Sequence, residues 1–350
     1  MKSQQEDLGR QVLEYVYKTM AIDEQWSVRE PLGFTWWAHR LAQRIWAEPL
    51  TDSSDPPGVQ VYAETAFLRN VPHTSSIEAK VDILNKYASL NAFIWNPTSN
   101  RISVRCSAGI SSDSVGWMRP FFSAAVAIQR SDAHVKAVNA LNDVVGGEID
   151  TSAHPQHGPR KDMDDMLNVI EEMFAPLGRK PSPFRKSDFE EAARMEPNPS
   201  VLSNAGESGL TAEFLYYDGE KFVLLSHLSH LFPHLFRRQK PKTALLTIDS
   251  SVAHPQLGSG AFWKLTLPAE FSHERSIQVA ADLNRAESRA ETDPYLYSFG
   301  AWCSDPNLNA VSHVMFMPAA IHKSGIINPF FVGMAARSQW ARKYLSLMDF

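Results

Sequence analysis

Several features that would indicate a membrane, secreted or disulfide-rich protein are missing from this chain. Its 350 residues contain only two cysteines, Cys106 and Cys303, which we place in strands of different halves, so no disulfide framework is expected. No run of about 18 apolar residues occurs, so no transmembrane helix and no membrane partner are expected. The polar residues 1–7 lack the apolar centre of a signal peptide. These absences predict a cytoplasmic protein.

Signatures of nucleotide chemistry are also missing. The glycines at 206–209 and 258–260 do not have the spacing of a phosphate-binding loop or of a nucleophile elbow, and we interpret both segments as turns. The formal net charge is −5, so no basic excess indicates a dedicated nucleic-acid-binding protein. No cofactor is therefore expected.

Two groups of residues nevertheless suggest a reactive site. His227, His230 and His234 are spaced so that they could share a helical face and bind a metal, but Pro233 interrupts that helix and no carboxylate accompanies the histidines. We expect an amphipathic connector there and no metal, with a metal site as the alternative. Cys106 and Cys303 alternate with apolar residues, which predicts buried, inert thiols.

What the chain does contain is an internal repeat. Pro120-Phe121-Phe122 enters an alanine-rich helical run, and Pro329-Phe330-Phe331 does the same 209 residues later. Asn100 and Asn309, which each precede a predicted strand, are separated by the same 209 residues. We interpret this agreement as one structural unit used twice, with the paired phenylalanines packing a helix onto a sheet.

Hydrophobic periodicity gives both halves the same order of elements: a helix, antiparallel strands, a helix, two strands and a final helix. This order predicts an α+β fold of two tandem units, each an antiparallel sheet with helices on one face, in a pseudo-twofold arrangement. The predicted divisions are residues 1–150 for the first unit, 151–209 for a linker with the leading helices, and 210–350 for the second unit. Asp218-Gly219 predicts a hairpin, residues 162–174 an acidic helix, and residues 34–46 one continuous strand.

This order, with its strand–turn–strand ending before an amphipathic helix, resembles the type III secretion chaperone and YbjN-like superfamily over residues 6–145 and 160–347. The resemblance implies small α+β modules without enzymatic activity that dimerise and hold peptide segments of partner proteins. For this chain it implies a monomeric pseudo-dimer or a homodimer with a peptide-binding role.

A candidate binding surface lies on the outer face of the first predicted sheet. Alternation along residues 34–46 places Trp37, Leu41 and Ile45 on the inner side. Indole, phenol and guanidinium groups on the opposite side offer apolar contact, cation–π stacking and carboxylate pairing. The residues predicted on that side are Trp36, Arg40, Arg44, Trp46, Tyr62, Glu64, Arg101 and Arg105. The alternative is a solvated sheet face whose arginine stems cover neighbouring aromatics.

We therefore expect a non-enzymatic, chaperone-like or adaptor-like module that captures an acidic or amphipathic segment of a partner protein. Two alternatives stay open. One is a hydrolase with an unrecognised site, and the other is a single-stranded RNA-binding protein that stacks bases on the same surface.

Overall fold

The computed structural model describes residues 2–50, 58–138, 145–165, 184, 211–217, 221–227, 244–250, 253–255, 257–267, 271–289, 297–323 and 325–347. The chain divides into two compact units. Unit 1 comprises residues 1–174 together with 284–301, and unit 2 comprises residues 175–283 together with 302–350. These bounds differ from the predicted divisions, because residues 151–174 and 284–301 both belong to unit 1.

The described part of unit 1 contains an antiparallel sheet with helices on one face. Its elements in chain order are α1 (Lys2–Thr19), β1 (Ser27–Glu30), β2 (Gly33–Trp36), β3 (Gln43–Pro49), β4 (Gly58–Arg69), α2 (Ile77–Asn85), β5 (Ala92–Asn96), β6 (Arg101–Ser111), α3 (Val115–Val138) and β7 (Glu148–Ile149). The strand order is β1-β2-β3-β4-β6-β5, and β7 pairs with β4. All of these pairs are antiparallel.

Helices α1 and α3 cover one face of this sheet. Val12 and Val16 form the buried stripe of α1, and Tyr17 meets Phe34 of β2 edge-on at 5.1 Å. A helix with apolar residues at this spacing is stable mainly because that stripe is buried. Phe122 of α3 is fully buried, as its predicted packing role requires, and α3 continues through Pro120.

A buried amide network joins α3 to the middle of the sheet. The Gln129 side chain, fully buried on α3, accepts hydrogen bonds from Gln43 Nε2 at 2.9 Å and from Thr65 Oγ1 at 3.2 Å. Its Nε2 donates to the Ala63 carbonyl oxygen at 2.9 Å and to Asn91 Oδ1 at 3.4 Å. These bonds define which face of α3 meets the sheet, because a buried amide is costly without its partners.

Unit 2 also combines an antiparallel sheet with helices. Its described elements are β8 (Thr211–Tyr217), β9 (Lys221–His227), β10 (Ala244–Asp249), β11 (Ala253–His254), β12 (Gly258–Leu267), α4 (His273–Ser288), β13 (Ala301–Asp305), β14 (Ala310–Pro318) and α5 (Ile327–Leu347). Residues 284–288 of α4 and Ala301 belong to unit 1. Trp263 of β12 packs against Phe330 and Phe331 of α5, with ring centroids 6.2 and 5.6 Å away.

The two sheets have the same strand order. In unit 2 the order is β8-β9-β10-β12-β14-β13, which matches β1-β2-β3-β4-β6-β5. The short strands β11 and β7 are not equivalent, because β11 pairs with the start of β12 and β7 with the end of β4. Asn100 and Asn309 both have left-handed backbone conformations, with φ of 52° and 48°, directly before β6 and β14. Asparagine tolerates this conformation better than most residues. The fold is α+β, and a duplicated unit would give this agreement, although duplication itself stays a prediction.

The predicted strand over residues 34–46 is wrong, because it is a hairpin. Strand β2 ends at Trp36 and β3 begins at Gln43, and these two residues are paired. The intervening backbone bonds to a distant segment instead: Ser152 N donates to the Arg40 carbonyl oxygen and Asp164 N to the Ala38 carbonyl oxygen, each at 2.8 Å. Residues 151–160, predicted as a linker, therefore pack on unit 1.

Other predicted elements agree with the structure to within a few residues, including the hairpin of β8 and β9. Most of the predicted helix over 162–174 lies outside the described residues, as do His230 and His234. His227 ends strand β9, so it does not begin a helix. No helix among the described residues combines the length and the apolarity that crossing a membrane requires.

Candidate functional site

The candidate site lies on the face of the unit 1 sheet opposite α1 and α3, which we call the outer face. The β3–β4 register pairs Arg44 with Glu64 and Trp46 with Tyr62. The β4–β6 register pairs Glu64 with Arg105. Directly paired residues share a face and their side chains interact. Arg44, Trp46, Tyr62 and Arg105 therefore project from three neighbouring strands on the same side, as alternation predicts.

These four residues form a compact stack, which we call the Arg–Trp cluster. The rings of Trp46 and Tyr62 are stacked, with centroids 4.9 Å apart and planes 16° from parallel. The Arg105 guanidinium carbon lies 5.3 Å from the Trp46 ring centroid and 5.2 Å from that of Tyr62. The Arg44 guanidinium carbon lies 5.1 Å from the Trp46 ring. Each contact is within the range of a cation–π interaction.

Glycine at position 33 makes room for Trp46. Gly33 of β2 is paired with Trp46 across the hairpin. A Cβ atom at this position would lie 3.0 Å from both the Trp46 Cβ and the Ile45 carbonyl oxygen. Any larger residue would therefore push against the Trp46 Cβ or the Ile45 backbone, so close approach rather than a turn favours glycine here.

Carboxylates neutralise the arginines of the cluster. Glu30 Oε2 accepts from Arg44 NH2 at 3.0 Å, and Glu64 Oε2 lies 3.9 Å from Arg105 NH1. The Trp46 indole N–H donates to Glu48 Oε1 at 2.9 Å. The surface thus carries two guanidinium groups and three carboxylates. It is less basic than the sequence predicts, because the facing strands supply a glutamate beside each arginine.

The two arginines differ in how freely they can change partner. The side chain of Arg44 is 53% exposed and that of its partner Glu30 is 40% exposed, so this ion pair contributes little to stability and exchanges readily. The Arg105 side chain is only 19% exposed and lies against both rings. Burial raises the pKa of Tyr62 to about 12, and the Glu48 carboxylate contributes to this shift. Tyr62 therefore stays a neutral hydrogen-bonding phenol at neutral pH.

Three predicted site residues lie elsewhere, and the hairpin explains two of them. An unbroken strand would place Trp36 and Arg44 on one face, but pairing Trp36 with Gln43 places Trp36 on the helix-covered side, where it is fully buried. Arg40 is exposed in the turn between β2 and β3. Arg101 forms an ion pair with Asp150 at 3.3 Å, and its position four residues from Arg105 separates the two by roughly 13 Å along the strand.

Residues 284–289 and 297–301 cover part of the outer face itself, at the edge formed by β5 and β6, because Ala92 of β5 is paired with Arg105. Ser298 N donates to the Ser107 carbonyl oxygen at 2.7 Å, and Ala301 packs in a small apolar cluster with Ala88, Ala92 and Ile94. Arg285 NH1 also donates to Glu78 Oε1 at 3.1 Å. These contacts bring residues distant in sequence to the sheet, and no local pattern predicts them. The accessible part of the outer face is therefore the part around Arg44 and Trp46.

The buried thiol of unit 1 has no features of a nucleophile. Cys106 is buried, burial raises its pKa well above the ordinary value, and its sulfur accepts a long hydrogen bond from Gln129 Nε2 at 3.8 Å. Such a thiol stays protonated at neutral pH. Among the described residues, no group of three or more His, Cys, Asp or Glu side chains is placed to hold a metal ion.

Comparison with known proteins identifies no relative of this chain. No protein-family model, curated protein or solved structure matches the chain.

Proposed function

We propose that this protein is a non-enzymatic, chaperone-like or adaptor-like module of the cytoplasm that captures an amphipathic segment of a partner protein on the Arg–Trp cluster. The observation that supports this proposal most is the stack itself: a half-buried indole on a sheet face, flanked by two guanidinium groups and already ordered by Tyr62. The resemblance to peptide-holding α+β modules points to the same class of function.

The cluster has the properties of a binding hot spot. Trp, Tyr and Arg dominate the energetics of protein interfaces because they combine a large apolar area with a polar end. Here the Trp46 ring is held by Tyr62 on β4 and by the hydrogen bond to Glu48, so little side-chain freedom remains to be lost on binding. Burying about 100 Å² of apolar surface on such a rigid ring would contribute about 2.5 kcal/mol.

The charges around Trp46 indicate what kind of segment fits. An apolar side chain would pack on the indole, and a neighbouring carboxylate would replace Glu30 at Arg44, since that ion pair is exposed on both sides. A strongly acidic segment is disfavoured because Glu30, Glu48 and Glu64 already flank the cluster. We therefore favour an amphipathic segment with one acidic residue beside an apolar one.

Single-stranded RNA could also stack on the aromatic rings. The same three glutamates would then face its phosphates, and like charges at close range are repulsive. A protein segment therefore fits the charge pattern better than RNA does. Binding that weakens steeply with salt and requires a nucleic acid would reverse this preference.

The proposal is tested by affinity capture from the native cell with matched variants. Trp46→Ala and Arg44→Glu should each lose a specific partner while the Tm stays close to that of the wild type. Arg10→Glu is the matched control, because the Arg10 side chain is also 53% exposed and also forms ion pairs, with Glu6 and Asp7. Equal capture by all three variants would contradict the proposal.

A further inference from the structure

A buried arginine on the helix-covered side of unit 1 lacks the partners that such a group needs. Arg130 of α3 is fully buried, and none of its three guanidinium nitrogens has a hydrogen-bond partner in the part of the chain that the structure describes. The Trp36 ring centroid lies 5.8 Å from its guanidinium carbon. A buried charge without hydrogen bonds is strongly destabilising, so the site as it stands is incomplete.

Two imidazoles connect Arg130 with the surface. His134 lies four residues after Arg130 on α3, which places both side chains on the same helix face. The ring centroid of His39, from the turn between β2 and β3, lies 5.5 Å from that of His134. Both histidines are half-buried, and Arg40 beside them is exposed. Both imidazoles lie within the electrostatic influence of Arg130 and of Arg40.

The surrounding charges leave a positive excess. Arg160 forms ion pairs with Asp164 at 2.9 Å and with Asp23 at 3.7 Å. Asp164 is a carboxylate that acts electrostatically on Arg130. Its Oδ2 already accepts a hydrogen bond from Arg160. Among the described residues, the two carboxylates of Asp23 and Asp164 therefore offset Arg40, Arg130 and Arg160. One positive charge remains when the imidazoles are neutral, and three remain when both are protonated.

The pKa values of these groups reflect the same excess of positive charge. Burial lowers the pKa of Arg130 to about 9. Burial, followed by the charge of the neighbouring arginines, also lowers the pKa of His39 and His134. Both imidazoles are consequently neutral at neutral pH in the unliganded protein. A bound anion would oppose each of these effects and would raise the pKa of both imidazoles.

We propose that Arg130, His134 and His39 form a binding site for a phosphate group, carried either by inorganic phosphate or by a phosphomonoester of a small molecule. A phosphate offers three or more acceptor oxygens and nearly two negative charges, which match a guanidinium and two imidazoles better than the two oxygens and single charge of a carboxylate. The site lies on the covered side of the sheet and does not depend on the function proposed for the outer face.

The first test is calorimetric titration with inorganic phosphate and, separately, with O-phosphoserine, against sodium chloride of equal ionic strength. Both phosphates should bind and chloride should not. Tighter binding of inorganic phosphate would identify the free anion as the ligand, and tighter binding of O-phosphoserine would identify a phosphomonoester. An equal response to chloride would overturn the proposal, because it would reduce the effect to general screening.

The second test uses variants that separate binding from a structural role. Arg130→Met should weaken phosphate binding by at least about tenfold and should leave the Tm of the phosphate-free protein unchanged or higher, since it removes an uncompensated buried charge. His134→Gln, on a half-buried residue, should weaken binding without affecting folding, while His73→Gln, at an exposed position, should not change it. Unchanged phosphate binding in both Arg130→Met and His134→Gln would overturn the assignment.

A spectroscopic readout completes the test. In NMR titrations of the wild-type protein, the pKa values of His39 and His134 should rise when phosphate is present. Resonances of His39 and His134 that titrate identically with and without phosphate would contradict the site even if phosphate bound elsewhere.

Discussion

Replacing Gln129 by leucine tests the packing that positions the sheet behind the candidate site. Leucine has a similar volume but cannot bond, so Thr65 Oγ1, the Ala63 carbonyl oxygen and Asn91 Oδ1 would each lose a partner. Gln43 Nε2 would keep its bond to the Val126 carbonyl oxygen at 3.0 Å. Thr65 Oγ1 and Asn91 Oδ1 would lose a buried partner outright, and the Ala63 carbonyl oxygen, which lies in a strand paired on both sides, would lose a second one. The total cost is about 3 kcal/mol.

Burying the leucine side chain, which is more apolar than glutamine, offsets part of this loss by about 1 kcal/mol. We therefore expect Gln129→Leu to lower the free energy of unfolding of unit 1 by about 2 kcal/mol. Because two units can unfold separately, the measurement should resolve them. Hydrogen exchange followed by mass spectrometry should show faster exchange in α3 and β4, with no change in β12 and β14 of unit 2.

A matched control is provided by an exposed glutamine. Gln278 of α4 is exposed, and its Oε1 accepts from Arg275 NH1 at 3.0 Å, so Gln278→Leu removes a hydrogen bond that water can replace. It should change stability by less than about 0.5 kcal/mol. If Gln129→Leu were equally mild, the buried network would not hold α3 against the sheet, and our account of unit 1 would be refuted.

Two further predictions concern the other unit and the outer face. Burial lowers the pKa of His313 well below its ordinary value of 6.5, so the unfolded chain binds the proton first and stability falls as the pH drops below about 6.5. His313→Leu should therefore reduce the loss of Tm between neutral and mildly acidic pH, and an unchanged pH dependence would show that other groups cause it. Gly33→Ala should lower the Tm slightly and weaken partner capture, because the new Cβ presses on Trp46. Full capture by this variant would mean that the indole position is not important.

Much of the fold could be predicted because its signals are local. The buried stripe of α1, the turn before β6 at Asn100 and the Asp218-Gly219 hairpin each depend on residues within a few positions of one another. The positions of Arg44, Trp46, Tyr62 and Arg105 on one face follow from the same kind of local alternation, and the registers of β3, β4 and β6 place them there. Their role in peptide binding stays a prediction.

The incorrect parts depend on contacts between distant residues. The turn between β2 and β3 forms where the backbone of Ala38 and Arg40 bonds to Asp164 and Ser152, more than a hundred residues away. That turn reverses the face of Trp36, because hairpin pairing with Gln43 replaces strand alternation. No pattern within residues 34–46 could have revealed this.

The two compact units differ from the predicted divisions for a similar reason. Continuity of the sequence suggests that residues 284–301 stay with the second half, but Ser298 bonds to Ser107 and Ala301 packs with Ala92. Of the glutamates beside the Arg–Trp cluster, Glu64 was predicted on the outer face, whereas Glu30 and Glu48 were not. Glu30 meets Arg44 only through the β1–β2–β3 pairing.

The central claim is that the Arg–Trp cluster holds a segment of a partner protein, and site-specific photo-crosslinking in the native cell tests it most directly. A photoreactive residue at Thr35, which is paired with Arg44 on the outer face, should form a crosslink to one protein partner, and Trp46→Ala in the same chain should abolish that crosslink. A photoreactive residue at Gln11, exposed on α1, should not form it. A crosslink at Thr35 that persists in Trp46→Ala, or that appears equally from Gln11, would contradict the account.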